Sequence, residues 1–238
     1  MTRAQGWLLD LTGGLTPYAE AWSLQRELLQ ARQAGIIPDV LVLLEHPPVV
    51  TIGRSGDRRH LLAPLEFLRA LGIELFEVER GGDVTYHGPG QLVGYPILDL
   101  RALSEDVARF MRTLEASIIA TLDAFGITAA RERGYPGVWI GGAKIAAMGV
   151  AVKRRVTMHG FALNVNTDLD AFAVINPCGL GRPVTSMAAV LRRPVDLVEV
   201  SRAYVDRFSE TFGIGLDRVT REAVREALVA PGVSVATR

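Results

Sequence analysis

The sequence predicts an α+β fold, a mixed β-sheet flanked by helices. Two observations point there. Segments with strand and helix patterning are interleaved along the 238 residues, without the regular strand–helix–strand spacing of a doubly wound sheet. No Ser/Pro-rich linker, internal repeat or sharp shift of composition divides the chain before its last thirty residues. An apolar fraction of 49% and a charged fraction of 22% suit a chain that buries a sizeable core. The expectation is a single domain over residues 1–238, with a tail frayed after about residue 230.

The elements follow in order. GWLLDL at 6–11 reads as a short strand. Thr16 is placed to cap a helix whose first residue is Pro17 and which runs to Gly35, a residue suited to the position after a helix. Val40–Leu44 and Val49–Ile52 read as buried strands separated by a Pro47-Pro48 turn. Pro64–Leu71 predicts a short helix stopped by Gly72, then a strand over 73–79. The clearest helix is Ser104–Phe125. Val107, Phe110, Met111, Leu114, Ile118 and Leu122 recur at helical spacing, acidic residues are expected in its first turn, and Gly126 ends it. Residues 137–165 read as strands around tight turns, with Lys153-Arg154-Arg155 at a hairpin tip. Helices are expected again at 196–212 and 218–229.

Composition excludes several classes of function. Lys plus Arg and Asp plus Glu each number 26, so no general field attracts nucleic acid. The basic clusters Arg58-Arg59, Lys153-Arg154-Arg155 and Arg192-Arg193 have no interleaved aromatics and read as solvated turns. A single cysteine, Cys178, leaves no intrachain disulfide, and with four histidines and no ligand-type spacing no metal site is expected. The first residues lack the apolar core of a secretory signal, and no apolar run approaches the roughly 20 residues of a membrane span. The expectation is a cytoplasmic protein with no membrane partner. Among the basic residues only Lys144 and Lys153 are lysines.

Three segments can carry chemistry. Arg80-Gly81-Gly82-Asp83-Val84-Thr85-Tyr86-His87-Gly88-Pro89-Gly90-Gln91 sets glycines and polar side chains between two apolar strands. Backbone N–H groups there can approach a ligand, but neither a Walker A loop nor a GxGxxG pattern is present, so nucleotide phosphate binding is unsupported. Lys144, in GGAKIAAMG, is flanked by small and apolar residues. It is either a lysine whose head snorkels from a strand end or a desolvated amine able to exchange protons near neutrality, which arginine cannot do. Cys178, in INPCGLG, is either a small buried hydrophobe or, on a bent Pro/Gly segment beside a cation, an activated nucleophile. His87 and His159 are alternative bases or structural, hydrogen-bonded histidines.

Taken in order, RGGDVTYHGPGQ, GAKIAAMG, HGFALN and INPCG closely resemble the bacterial octanoyltransferases (lipoyl/octanoyl transferases) over roughly residues 40–190. The resemblance implies the fold of the biotin/lipoate protein ligase catalytic domain. It also implies transfer of an octanoyl or lipoyl group from octanoyl-acyl carrier protein to a lysine of lipoyl domains. The acceptors implied are those of 2-oxoacid dehydrogenase E2 subunits and the glycine cleavage H protein. Position by position, it makes Cys178 the acyl-accepting nucleophile and Lys144 the lysine that lowers the thiol pKa and handles protons. It makes Arg80, Gly81, Gly82, Asp83, Val84, Thr85, Tyr86 and His87 an acyl-binding loop. Ala147, Met148 and Gly149, with Gly160, Phe161 and Ala162, line the same pocket. Gln91, His159 and Asn164 take supporting roles, and Met148 and Phe161 are expected walls of an apolar tunnel. No cofactor or metal is implied. The rivals are an ATP-dependent lipoate or biotin protein ligase of the same fold, which needs no cysteine nucleophile, and a non-catalytic acyl- or carrier-protein-binding module. A chain that acylates lysines would gain from carrying few of its own, although codon or environmental bias toward arginine explains the same scarcity.

Overall fold

The computed structural model describes residues 4–103, 105–176 and 182–229; Cys178 and the tail after residue 229 lie outside the described residues. Eleven strands and six α-helices are built from them, in two sheets. The strands are β1 (Ala4–Leu15), β2 (Val40–Glu45), β3 (Val49–Ile52), β4 (Glu74–Glu77), β5 (Val84–His87), β6 (Gln91–Ile97), β7 (Ala130–Glu132), β8 (Tyr135–Ile140), β9 (Ala143–Lys153), β10 (Val156–Asn164) and β11 (Ile214–Arg218). The helices are α1 (Tyr18–Gln33), α2 (Leu65–Ala70), α3 (Val107–Ala124), α4 (Met187–Leu191), α5 (Leu197–Phe212) and α6 (Arg221–Val229). The larger sheet has the order β11-β1-β2-β6-β10-β9-β8-β7, parallel at β11-β1-β2 and antiparallel from β2 onward. The smaller sheet is β4-β3-β5. The mixed sheet flanked by helices is thus the α+β architecture expected.

Burial explains the layering. On one face of the large sheet, Leu114, Ile118 and Leu122 of α3 pack with Tyr204 and Phe208 of α5 against Phe161 and Leu163. On the other, Leu28 and Leu29 of α1 cover Val42, Val93 and Ala162. Each such buried aliphatic or aromatic side chain contributes about 1.5–3 kcal/mol over the exposed state. No helix among the described residues is long and apolar enough to cross a membrane.

Several boundaries differ from expectation, for local reasons. Helix α1 begins with Pro17 at its N-cap, and Thr16 supplies no side-chain cap. Thr16 is held instead in the sheet layer, its N–H donating to the Glu45 carbonyl (2.8 Å) and its own carbonyl meeting His46 Nδ1 (2.7 Å). The acidic residues before α3 do not fill its first turn: Asp106 is the N-cap, its carboxylate accepting from Arg109 N–H (3.0 Å), and the helix starts at Val107. Residue 218 does not open a helix. Gly213 in the left-handed region ends α5, and 214–218 turns back as β11 beside β1, where the sheet takes up its backbone hydrogen bonds. Around Pro47-Pro48, β2 and β3 form as expected and join different sheets. The β9–β10 hairpin does turn at Arg154 and Arg155, both with positive φ (45° and 70°).

Candidate active site

A cavity of about 270 Å³ opens between the large sheet, the small sheet and the N-terminal turn of α1. Strand alternation decides which side chains reach it. On β9, Ala147 and Gly149 line the cavity while Ala146, Met148 and Val150 pack toward the helix side. Strict alternation would then send Lys144 to the helix side as well. A register shift prevents this: β8 and β9 pair as Val138↔Ala146 and then Trp139↔Lys144, leaving Ile145 as an extra residue, and Ile145 joins the helix-side core. The bulge re-aims Lys144 into the cavity, the use to which bulges beside active sites are commonly put.

The glycine-rich segment forms the roof. Arg80, Gly82, Asp83, Val84, Thr85 and His87 line the cavity, and so do Ala147, Met148, Gly149, Gly160, Phe161 and Ala162. Gly81 and Tyr86 do not. The Gly81 N–H is spent on the Val150 carbonyl (2.8 Å), and the Tyr86 ring turns to the small-sheet core against Phe172. Met148 and Phe161 border the cavity, but their side chains belong to the helix-side cluster, where Phe161 lies 4.6 Å from the Tyr204 ring. Arg80 is buried, with Nη2 donating to the carbonyl (2.8 Å) and hydroxyl (2.9 Å) of Thr51. The absence of a side chain at Gly149 lets this loop lie on β9: a Cβ there would stand 2.7 Å from the Gly81 carbonyl oxygen.

Tyr18 and Tyr95 also line the cavity, and sequence reasoning missed both. Tyr18 lies far in sequence from the motifs, and Tyr95, four residues past Gln91 on β6, is tied to them by its contact with the His159 ring of β10 at 6.4 Å. Behind them His46 bridges the Thr16 carbonyl and the Tyr95 hydroxyl, each at 2.7 Å. Burial lowers His46 to about 4, and burial together with the neighbouring His46 lowers His87 to about 3. Burial also lowers His159, against the pull of the Glu79 carboxylate 3.5 Å away. The tyrosines shift the other way, burial holding Tyr18 and Tyr95 above the ordinary phenol range. Neutral imidazoles and phenols therefore surround the buried Arg80 guanidinium on this side of the lining. His159 itself is strained, with φ of 58° inside β10, and its N–H leaves the ladder for Gln25 Oε1 (2.7 Å).

A chain of side-chain hydrogen bonds ties the roof to Thr185. His87 Nδ1 meets Gln91 Oε1 (2.8 Å), Gln91 Nε2 donates to Asn164 Oδ1 (2.9 Å), and Asn164 Nδ2 donates to the Thr185 carbonyl (2.9 Å). The backbone of Lys144 brackets the same stretch, its N–H donating to the Pro183 carbonyl and its carbonyl accepting from Thr185 N–H (both 2.9 Å). Upstream, Asn176 N–H donates to the His60 carbonyl (2.7 Å), and the His60 ring meets Asp83 of the roof (2.5 Å). Phe172 and Val184 line the cavity, so described residues on both sides of Cys178 reach it. Among the described residues no group of three or more His, Cys, Asp or Glu could hold a metal ion.

The family model of the lipoyl protein ligase A/B catalytic domain matches residues 17–209, and the chain belongs to that family and, within it, to the octanoyltransferases. It is accordingly an acyltransferase. An octanoyltransferase of Gloeobacter violaceus is 50% identical over 219 residues, covering 92% of this chain and 96% of its own. One of Rubrobacter xylanophilus is 51% identical over 203 residues, covering 84% and 91%. Among solved structures, a lipoate-protein ligase A bound with ATP superposes with a TM-score of 0.76 at 24% identity, covering 94% of this chain and 92% of the other, a likeness of fold.

Proposed function

We propose that this enzyme transfers an octanoyl group from acyl carrier protein to a lysine of a lipoyl domain, through a thioester on Cys178, within one catalytic domain spanning residues 1–238. The observation that carries the proposal is the seat of Lys144. Its side chain is turned into the cavity, and its backbone is paired to Pro183–Thr185, five to seven residues beyond Cys178. The names of the relatives support octanoyl as the group transferred.

The chemistry balances without another reactant. The Lys144 amine takes the Cys178 proton, and the thiolate attacks the donor thioester carbonyl. As the bond to the donor sulfur breaks, Lys144 returns the proton to the leaving thiolate, and one thioester has replaced another at little cost. The acceptor amine then attacks the Cys178 thioester. A C–N bond forms, the C–S bond breaks, the amine's proton passes to Lys144 and the Cys178 thiolate is restored. Thioester-to-amide transfer is downhill, so the second half drives the cycle. The roof from Arg80 to His87 and the β9–β10 wall around Ala147, Gly149, Gly160 and Ala162 would hold the acyl chain.

Mass spectrometry of the protein mixed with octanoyl-carrier protein, without ATP, tests this. The expected result is one octanoyl adduct mapping to Cys178 and transfer to added lipoyl domain, both lost in Cys178→Ala and strongly reduced in Lys144→Arg. An adduct on a histidine, or a requirement for ATP, overturns the proposal.

A further inference from the structure

We infer that Trp139 is a positioning residue for Lys144, and that the aromatic shelf it forms with Tyr135 also seats Arg182 beyond the Cys178 segment. The inference rests on the reading of Lys144 as the proton carrier. It starts from an indole that is almost fully buried (4% exposed) beside two residues that line the cavity, Tyr135 and Lys144. Lys144 Nζ lies 4.8 Å from the centroid of that ring, and Arg182 Cζ lies 5.0 Å from the same ring and 4.7 Å from Tyr135. The shelf is itself fixed. Trp139 Nε1 donates to the Tyr135 carbonyl (3.2 Å), the two rings meet edge to face at 6.2 Å, and Glu132 pairs with the Arg182 guanidinium.

The stem of Lys144 is guided as well as its head. It runs past Gly137, where a Cβ would lie 3.5–3.6 Å from the lysine's Cε and Cδ and 2.6 Å from the Ala146 carbonyl oxygen. Gly137 also sits at φ +124°, which a side-chain-bearing residue rarely adopts. A four-carbon stem has many rotamers to lose, and the Gly137 passage and the indole face restrict it to one direction. A π-face attracts an ammonium through its quadrupole but offers no oxygen to hold the proton. Such a face adds to the orientation of the head without itself acting as a base toward it. Arg182 on the same ring is held in a fixed relation to Lys144, and Glu132 offsets the repulsion between the two cations.

The chain's single thiol makes the test direct, because iodoacetamide alkylation reports Cys178 alone. Alkylation rate against pH and steady-state kinetics are measured for the parent, Trp139→Leu, Trp139→Phe and Lys144→Ala. Trp139→Leu should lower kcat about 3- to 30-fold with KM for the donor within about twofold, and should move the alkylation profile to higher pH. Trp139→Phe, which keeps an aromatic face, should recover most of both. Arg182→Met, at a partly exposed side chain, keeps the question open if Trp139→Leu fails to fold, and should slow alkylation in the same direction. A displaced profile in Lys144→Ala beside parent-like profiles and kcat in Trp139→Leu and Arg182→Met overturns the shelf alone. An undisplaced profile in Lys144→Ala overturns the role of Lys144 and the inference with it.

Discussion

Replacing Gly149 by alanine probes the roof of the cavity with the smallest possible change. The added Cβ would stand 2.7 Å from the Gly81 carbonyl oxygen and 3.1 Å from Arg80 Cδ. Ordinary contact begins near 3.4 Å, so the loop must retreat by 3.4 − 2.7 = 0.7 Å. It has little freedom to do so. Gly81 N–H is bonded to the Val150 carbonyl at 2.8 Å, Arg80 is anchored on Thr51, and the far side of the loop presses against Gly53. Overpacking against backbone of this kind costs about 1–3 kcal/mol. For a chain of this length, that is a fall in Tm of about 2–12 °C. Activity should fall further than stability, because the displaced residues are those proposed to cover the acyl chain. Gly13→Ala, where nothing lies within 4 Å of the new Cβ, is the matched control. Thermal unfolding and octanoyl transfer are measured on both variants. A Gly149→Ala protein with parent Tm and parent rate would show that the loop is not held as described.

Tyr95→Phe removes the hydroxyl bonded to His46 Nε2 and leaves a buried imidazole nitrogen without its partner, so urea unfolding should show a loss of about 1–3 kcal/mol with little change in shape. Folded His46 lies at about 4 against an ordinary 6.5, so below pH 6.5 the unfolded chain binds a proton that the folded one does not. Its contribution is therefore intact above pH 6.5 and is lost as pH falls toward 4, by about 3 kcal/mol in all, with His87 adding in the same direction. Urea midpoints between pH 7.5 and 4 should fall steeply in the parent and less steeply in His46→Phe; parallel curves would count against the assignment. Asp83→Ala removes the acceptor of the Asp57 N–H (3.0 Å) and the partner of His60, and should lower both Tm and acyl transfer by loosening the roof. Intact mass after prolonged exposure to donor should show no stoichiometric acylation of Lys153, whose ammonium is paired with Glu79 at 2.9 Å; its appearance would remove any protective meaning from the scarcity of lysine.

Most elements were legible because their signals are local. Of the expected α3 stripe, Phe110, Leu114, Ile118 and Leu122 are buried while Val107 in the first turn is exposed, and the Arg154-Arg155 turn forms where the sequence marks it. The family was legible because its motifs are contiguous short strings. Expectations failed where a neighbour distant in sequence took over a local group: the sheet, not a cap, uses Thr16, and β1 draws 214–218 into a strand.

The sequence by itself determined the α+β class, the family and which residues carry reactive groups, since periodicity, capping preference and side-chain chemistry are properties of short stretches of chain. Only the tertiary structure decided which way those groups face. The extra residue Ile145 turns Lys144 into the cavity, and packing brings Tyr95 against the His159 ring of β10. Tyr18 and Trp139 join the site from segments that no motif marks. A strand's side chains reverse face with a shift of one residue, and that shift is set by the pairing partner, which local sequence does not encode.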